Sequence, residues 1–265
     1  MKTRILIAAT FTILCATSKF SLPADYLPPS ASAAQVARIN FHAAIPVDES
    51  YRAQFDRCDR EDIFNGVSMK GFRKCSTDPN RARALLKFPN GTVFFESKLG
   101  LDIDGSWKAC NNPGTVDLCP TWMRWENLPA PKKYIDSDLF PYVVIPIAGL
   151  NGHDDPEFRN KTGIKQGDLG VVIYKDKVVP VFIADGGPHN KLGEGSAALF
   201  KALGQDRCRQ WRSDGHCQSY RDFSIERGVL TFVFPNSRIA DLTPENAREK
   251  VGLEAMRRFE RLKQP

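Results

Sequence analysis

Residues 169–184 read LGVVIYKDKVVPVFIA, which is two apolar runs separated by a charged tripeptide. Valine, isoleucine and aromatic residues dominate both runs, and such residues favour strands. The intervening Lys175-Asp176-Lys177 is short and polar enough to form a turn. The stretch therefore predicts a β-hairpin with strands Leu169–Tyr174 and Val178–Ala184.

Similar runs elsewhere predict a larger sheet. Further strands are predicted over Ala84–Phe88, Thr92–Glu96, Pro141–Ile147 and Val229–Phe234, the first two joined by a turn at Pro89-Asn90-Gly91.

Two segments have helical spacing of their apolar residues. The first is Glu194–Leu203, which ends at Gly204, and the second begins at the N-cap Thr243 and runs to Leu262. Together, the predicted strands and helices indicate an α+β domain with a mainly β core, a few helices and disulfide-stapled loops. The sheet is expected to be mixed or antiparallel, with a barrel-like sheet as one option.

The N-terminus has the pattern of an export signal. A basic start is followed by the apolar run Ile5–Ala16, which is too short to span a bilayer comfortably. Residues 1–18 are therefore predicted to be a signal peptide, residues 19–45 a flexible leader, and residues 46–265 a single domain.

A lipoprotein with Cys15 acylated is disfavoured because Leu14 is too large for the position before the acylated cysteine. We expect a secreted or periplasmic protein that does not associate with a membrane after signal removal.

Six cysteines remain once Cys15 leaves with the signal peptide. In an exported chain an even number predicts disulfides, although six cysteines allow 15 connectivities. The sequence-local pairs Cys58–Cys75, Cys110–Cys119 and Cys208–Cys217 each close a short loop rich in turn-forming residues. A zinc site is the rival interpretation, but the chain has no Cys-x-x-Cys pair and its four histidines are scattered. We therefore expect no metal and no cofactor.

Composition and charge exclude several classes of protein. The chain has 265 residues, of which 42% are hydrophobic and 26% charged, and this is a globular composition rather than a disordered one. The formal net charge is +6, but Lys2 and Arg4 fall within the predicted signal peptide. The remaining positive residues form no long run interleaved with aromatics, so nucleic acid is not an expected partner. We expect a monomer.

Carboxylates are the best candidates for chemistry. The sequence has no Gly-x-Ser-x-Gly elbow, no phosphate-binding glycine loop and no His-Glu-x-x-His helix. Asp185 follows an apolar strand, and Glu194 opens a predicted helix after a glycine-rich loop, so both are expected at one rim of the sheet. Asp102 and Asp104 do not form an EF-hand, because Trp107 stands where that loop requires glycine.

An ordered series of motifs resembles the chitosanases of glycoside hydrolase family 75. That family looks like Phe-Phe-Glu-x-Lys, Asp-x-Asp-Gly, Pro-Tyr-x-Val-x-Pro, Gly-Asp-x-Gly-Val-Val, Asp-x-Gly and Gly-Glu-x-Ser in this order. Here the segments are Phe94-Phe95-Glu96-Ser97-Lys98, Asp102-Ile103-Asp104-Gly105, Pro141-Tyr142-Val143-Val144-Ile145-Pro146, Gly167-Asp168-Leu169-Gly170-Val171-Val172, Asp185-Gly186-Gly187 and Gly193-Glu194-Gly195-Ser196. The match covers roughly residues 84 to 204.

The resemblance implies an endo-chitosanase activity on β-1,4-linked glucosamine polymers. The family's essential acids correspond by motif to Asp185 and Glu194, and the implied mechanism is inverting. Such a mechanism requires two carboxyl groups about 6.5–9.5 Å apart with a water between them. We assign Glu194 as the acid and Asp185 as the base, with the reverse order left open because a helix N-terminus would favour an ionised Glu194.

Other acids are expected to bind the polymer's ammonium groups. Asp102 and Asp104 are the first candidates, with structural turn acids as the alternative interpretation. Glu96 is a further candidate, although a salt-bridged pair with Lys98 is the slightly favoured explanation. Two other functions stay open at this point. One is a peptidoglycan or other cell-wall glycan hydrolase, and the other is a non-catalytic carbohydrate-binding envelope protein.

Overall fold

A computed structural model describes residues 26–112, 117–221 and 224–264. The predicted signal peptide lies outside the described residues, as do the first residues of the predicted leader. The strands are β1 (Ile45–Pro46), β2 (Ile63–Phe64), β3 (Val67–Ser68), β4 (Ala84–Lys87), β5 (Val93–Asp102), β6 (Tyr142–Ala148), β7 (Leu169–Tyr174), β8 (Lys177–Pro188), β9 (Glu194–Ser196), β10 (Cys208–Trp211), β11 (Cys217–Tyr220) and β12 (Ile225–Phe234). The α-helices are α1 (Ala33–Val36), α2 (Glu49–Glu61), α3 (Trp107–Asn111), α4 (Glu157–Thr162), α5 (Ala197–Ala202) and α6 (Ala247–Leu262).

Six strands close into a barrel in the order β5-β12-β7-β8-β6-β9. Strand β9 closes it, because β9 pairs with β6 on one side and with β5 on the other. The β6–β8 and β5–β9 pairs are parallel and the other pairs of the barrel are antiparallel. Strands β4 and β1 extend the sheet beyond β5. The predicted α+β fold with a mainly β, mixed sheet is thus confirmed, and the sheet is a barrel.

The two predicted hairpins are present. β7 and β8 pair from Leu169↔Phe182 to Tyr174↔Lys177, so the turn is made by Lys175 and Asp176. β4 and β5 form the other hairpin, where Gly91 at the turn has a φ of 85° and donates its N–H to the carbonyl of Phe88. Glycine takes such a positive φ at little cost, which explains the Pro-Asn-Gly signal.

The core consists of two hydrophobic clusters that take alternate residues of the same strands. Phe94, Val171 and Phe182 belong to one cluster, and their neighbours Phe95 and Val172 belong to the other. Successive side chains of a strand point to opposite faces, so the two clusters lie on opposite faces of the sheet. The apolar stripe of α6 covers the first face through buried residues such as Phe259, and α2, α4 and α5 contribute to the second.

Part of the predicted flexible leader packs against the sheet. Val36, Ile39, Phe41 and Ala44 are all buried and belong to the same cluster as Phe94. Burial of these side chains removes apolar area from water, which stabilises the segment on the core. Within the expected leader of residues 19–45, the described part from residue 26 therefore belongs to the domain.

Both predicted helices begin later than expected. Glu194 lies on β9 rather than in a first helical turn, and α5 starts after Ser196, whose hydroxyl accepts the N–H of Leu199. The C-terminal helix starts after Asn246, and Thr243 precedes it in a turn. The helix predicted from Glu194 was wrong at its start because closure of the barrel recruits that residue into a parallel strand pair with β5.

All three predicted disulfides are confirmed: Cys58–Cys75, Cys110–Cys119 and Cys208–Cys217. The first joins α2 to the segment before β4, the second closes the loop after α3, and the third links β10 to β11. Among the described residues, no helix is both long and apolar enough to cross a membrane.

Candidate active site

Asp185 and Glu194 lie on the two strands that flank β6. Asp185 of β8 and Glu194 of β9 are both in register with the same residue, Val144 of β6. Neighbouring strands are about 4.8 Å apart, so the two backbones are roughly 10 Å apart. The two side chains therefore leave the sheet from strands on either side of β6.

The carboxyl group of Asp185 is buried and held at one oxygen. Its Oδ1 accepts the backbone N–H groups of Trp122 at 3.0 Å and of Gly186 at 2.7 Å. Its Oδ2 is buried and receives no hydrogen bond from any described residue. Burial raises the pKa of Asp185 to about 7, although the two N–H groups oppose that effect. A buried carboxyl with one unpartnered oxygen in this range can give or take a proton near neutral pH.

The side chain of Glu194 passes over two glycines. A Cβ atom on Gly187 of β8 would lie 2.6 Å from Glu194 Oε2, and one on Gly100 of β5 would lie 3.3 Å from Glu194 Cγ. Gly187 is two residues beyond Asp185, so the Glu194 carboxyl lies over the end of the strand that carries Asp185. A side chain at Gly187 would displace the Glu194 carboxyl group, and a side chain at Gly100 would displace the nearby ammonium group of Lys98.

Lysines are close to Glu194 on the side away from Asp185. The Nζ of Lys98 would be 2.8 Å from the same Gly100 Cβ position, which places the ammonium beside the Glu194 side chain. Burial raises the pKa of Glu194, whereas the charges of Lys98 and Lys191 lower it. Sequence reasoning did not identify either lysine as part of the site. The sequence did contain one signal for Lys98, since it is the lysine of the Phe-Phe-Glu-x-Lys motif.

A cluster of aspartates lies on the other side of the site. Carboxylate oxygens of Asp102, Asp104 and Asp117 come within 4.8 Å of one another. The loop is held by hydrogen bonds from the N–H of Asp104 to Asp102 Oδ1, at 2.8 Å, and from the N–H of Leu118 to Asp104 Oδ1, at 2.5 Å. Such a group of oxygens suits a cation, whether a metal ion or an ammonium group. Sequence reasoning missed Asp117, which lies within the Cys110–Cys119 loop.

The same cluster interacts electrostatically with Asp185. Burial raises the pKa of Asp104 to about 8, and the neighbouring carboxyl of Asp185 contributes to that rise. The pKa of Asp102 is also raised, first by burial and then by Asp104 and Asp185. The structure therefore brings together four of the acids that the sequence singled out: Asp102, Asp104, Asp185 and Glu194.

Glu96, the fifth of those acids, has different surroundings. It is 1% exposed, and its oxygens accept hydrogen bonds from the Tyr26 hydroxyl at 2.7 Å and from Arg83 at 3.0 Å. The ion pair is therefore with Arg83, while Lys98 pairs with Asp78. The substrate-binding role of Glu96 stays a prediction, and its contacts are those of a structural residue.

No protein-family model matches this chain, and no curated protein matches its sequence. The resemblance to the family 75 chitosanases therefore depends on the ordered motifs themselves.

Proposed function

We propose that this protein is an exported, endo-acting glycoside hydrolase that cleaves the β-1,4 linkages of glucosamine polymers such as chitosan. The observation that carries the proposal is the placement of Asp185 and Glu194 on the two strands that flank β6, with the Glu194 carboxyl reaching over the strand that carries Asp185. The resemblance to family 75 points to the same two residues. Support for export comes from three disulfides, which persist mainly in oxidising compartments.

The proposed reaction needs one proton donor and one proton acceptor. The protonated carboxyl group donates its proton to the glycosidic oxygen, and the bond between that oxygen and the anomeric carbon breaks. The ionised carboxylate takes a proton from a water molecule, whose oxygen bonds to the anomeric carbon from the opposite face. The product is a reducing sugar with inverted configuration, and both carboxyl groups recover their protonation states through solvent.

The aspartate cluster favours a cationic polymer over an anionic one. The oxygens of Asp102, Asp104 and Asp117 lie within 4.8 Å of one another, and an ammonium group bound among them favours their ionised forms. Glucosamine units carry such ammonium groups. The carboxylates of peptidoglycan would be repelled at the same place. The alternative of a cell-wall glycan hydrolase therefore has less support than chitosan. A non-catalytic carbohydrate-binding protein would not need two buried acids with raised pKa values on the two strands that flank β6.

A reducing-end assay on chitosan, chitin and peptidoglycan tests the proposal. We expect the wild type to cleave chitosan, and Asp185→Asn and Glu194→Gln each to lose at least about 10³-fold in kcat. Asp176→Asn in the exposed β7–β8 turn is the matched control and should retain full activity. Equal cleavage by wild type and both site variants would overturn the site assignment, and cleavage of peptidoglycan alone would overturn the substrate. Binding to chitosan without cleavage would favour the carbohydrate-binding alternative.

A further inference from the structure

Two lysine side chains close to Glu194 are almost completely enclosed. Lys98 on β5 is 1% exposed and Lys191, just before β9, is 4% exposed. Lysine is rarely buried to this degree unless its charge is paired. Both ammonium groups contact the same carboxylate oxygen, Asp78 Oδ2, which Lys191 approaches to 3.4 Å.

The lysines lie between Asp78 and Glu194. A Cβ atom placed on Gly100 would lie 2.8 Å from Lys98 Nζ and 3.3 Å from Glu194 Cγ. The ammonium group of Lys98 is therefore next to the Glu194 side chain. Lys191 Nζ donates hydrogen bonds to the carbonyls of Lys74 at 2.9 Å and Asp78 at 3.0 Å. The lysines, Asp78 and Glu194 thus form one continuous group of charges.

The segment that carries Asp78 is attached by hydrogen bonds to the loop between β8 and β9, which leads to Glu194. Asn80 donates from its side chain to the carbonyl of Asn190 at 3.1 Å and accepts the N–H of Leu192 at 2.7 Å. Asn190 in turn donates to the carbonyl of Arg73 at 2.7 Å and contacts the sulfur of Cys75 at 3.2 Å. The Cys58–Cys75 disulfide therefore helps to fix the position of Asp78 relative to Glu194.

The charges of this group balance only when Glu194 is ionised. Two ammonium groups and the Asp78 carboxylate leave one positive charge, and an uncompensated charge in an enclosed site is costly. Asp185 is in a different situation, since burial and the charge of Glu194 raise its pKa to about 7, and the groups that oppose this rise are two backbone N–H groups and Asp104 rather than ammonium groups. The environments of the two acids thus favour opposite protonation states.

We infer that Lys98 and Lys191, bridged by Asp78, are positioning residues that keep Glu194 ionised and so make Glu194 the base and Asp185 the acid. This inference rests on the proposed function and adds the division of roles. It reverses the assignment preferred from the sequence, in which Glu194 donated the proton. That preference weighed the start of a helix at Glu194, whereas the residue lies on β9 with two ammonium groups on one side.

The pH dependence of kcat/KM tests the inference. The charged groups that influence Glu194 from the surrounding elements are Lys98, Lys191, Asp78, Asp117, Asp102, Asp104 and Asp185. If Glu194 is the base, its ionisation sets the acidic limb of the profile. Lys98→Met removes a neighbouring positive charge, so we expect the acidic limb to move up by about one pH unit and the maximal kcat/KM to fall at least tenfold. KM should change less than about twofold.

Two further variants show whether the shift of the acidic limb follows the sign of the charge removed or reflects a disturbed fold. Lys191→Met should move the acidic limb in the same direction as Lys98→Met, whereas Asp78→Asn leaves both ammonium groups and should move it down. Lys177→Met, an exposed lysine at the start of β8, is the matched control and should leave the profile unchanged. A shift of the basic limb instead of the acidic limb in the lysine variants would overturn the inference, because it would make Glu194 the acid.

The carboxyl titration of Glu194, followed by ¹³C NMR, does not depend on activity. We expect Glu194 to titrate below Asp185 in the wild type and to move up by about one pH unit in Lys98→Met or Lys191→Met. An unchanged titration would overturn the inference whether or not chitosan is cleaved. Absence of cleavage by the wild type, combined with the expected titration, would instead count against the proposed function alone.

Discussion

Asp185 and Glu194 are separated by one strand, with both residues in register with Val144. They are nine residues apart in the chain, and the loop between them crosses from one side of β6 to the other. The pair therefore exists only because β9 closes the barrel between β6 and β5. The same closure places lysines next to Glu194 and aspartates next to Asp185, which gives the two carboxyl groups different environments.

Substitution of Asp104 should weaken substrate binding more than catalysis. A bound ammonium group favours the ionised form of Asp104, and Asp104→Asn removes that charge, so we expect KM for chitosan to rise about three- to tenfold at low ionic strength. Added salt screens charge interactions and should reduce this difference between variant and wild type. Steady-state kinetics at several salt concentrations measure both effects. Asp176→Asn is the control, and a KM that does not change in Asp104→Asn would count against a role in binding ammonium groups.

Substitution of Gly187 should disturb Glu194 without unfolding the protein. In Gly187→Ala the new Cβ would lie 2.6 Å from Glu194 Oε2, which is the end of a flexible side chain. We expect the carboxyl group to move aside and kcat to fall at least about tenfold, because a small misplacement of a reacting group is costly. Thermal unfolding should change little.

Gly252→Ala is a control for that substitution. Gly252 is on α6 with open space around its Cα, so alanine should stabilise the helix by about 0.5–1 kcal/mol and leave activity unchanged. Full activity in Gly187→Ala would show that the close approach of Glu194 to this glycine is not required.

Removal of the buried charge at Asp185 should stabilise the protein at alkaline pH. Its pKa is about 7 in the folded protein, well above the value of an exposed aspartate, so the folded state binds more protons between about pH 4 and 7. The contribution of the Asp185 carboxyl group to the free energy of unfolding is therefore most favourable at low pH and is lost as the pH rises through 7. At pH 8 we expect Asp185→Asn to be more stable by at least about 1 kcal/mol, or roughly 2–4 °C in Tm.

The pH dependence of that difference is the critical measurement. Thermal unfolding of wild type and Asp185→Asn should give similar Tm values near pH 4 and diverge as the pH increases. A difference of constant size across this range would show that Asp185 does not carry a raised pKa in the folded protein.

Loss of the Cys58–Cys75 disulfide should affect both stability and activity. The bridge spans 17 residues, and a loop of that length corresponds to about 3 kcal/mol of stability. We expect Cys58→Ser/Cys75→Ser to lose that amount in urea unfolding and to lower kcat, because Asp78 and Asn190 are held nearby. Cys208→Ser/Cys217→Ser, which opens the shorter loop between β10 and β11, should cost less stability and leave kcat unchanged. Equal kcat values in the two double variants would show that the Cys58–Cys75 disulfide has no influence on the active site.

Several features of the fold could be predicted because their signals are local. The hairpin Leu169–Tyr174 with Val178–Ala184 depends on β-branched residues on both sides of a short polar turn. The disulfides followed from short spacings between cysteines, since nearby sulfurs are the simplest partners in a small loop. Asp102, Asp104, Asp185 and Glu194 were identified from motifs, and the structure brings them together.

What the sequence alone determined was therefore six of the twelve described strands and the disulfide loops, and it also indicated the candidate acids, because each of these signals comes from residues that are neighbours in the chain. Tertiary structure decided that Glu194 lies on a strand, that residues 26–45 pack on the core and that Glu96 pairs with Arg83. It also decided which charges surround each carboxyl group. Asp78 and Lys98 are 20 residues apart, and Asp117 and Asp104 are joined only through a folded loop. The protonation state of a buried acid depends on such non-local neighbours, so the proposed division of roles between Asp185 and Glu194 follows from the folded barrel and not from the sequence motifs.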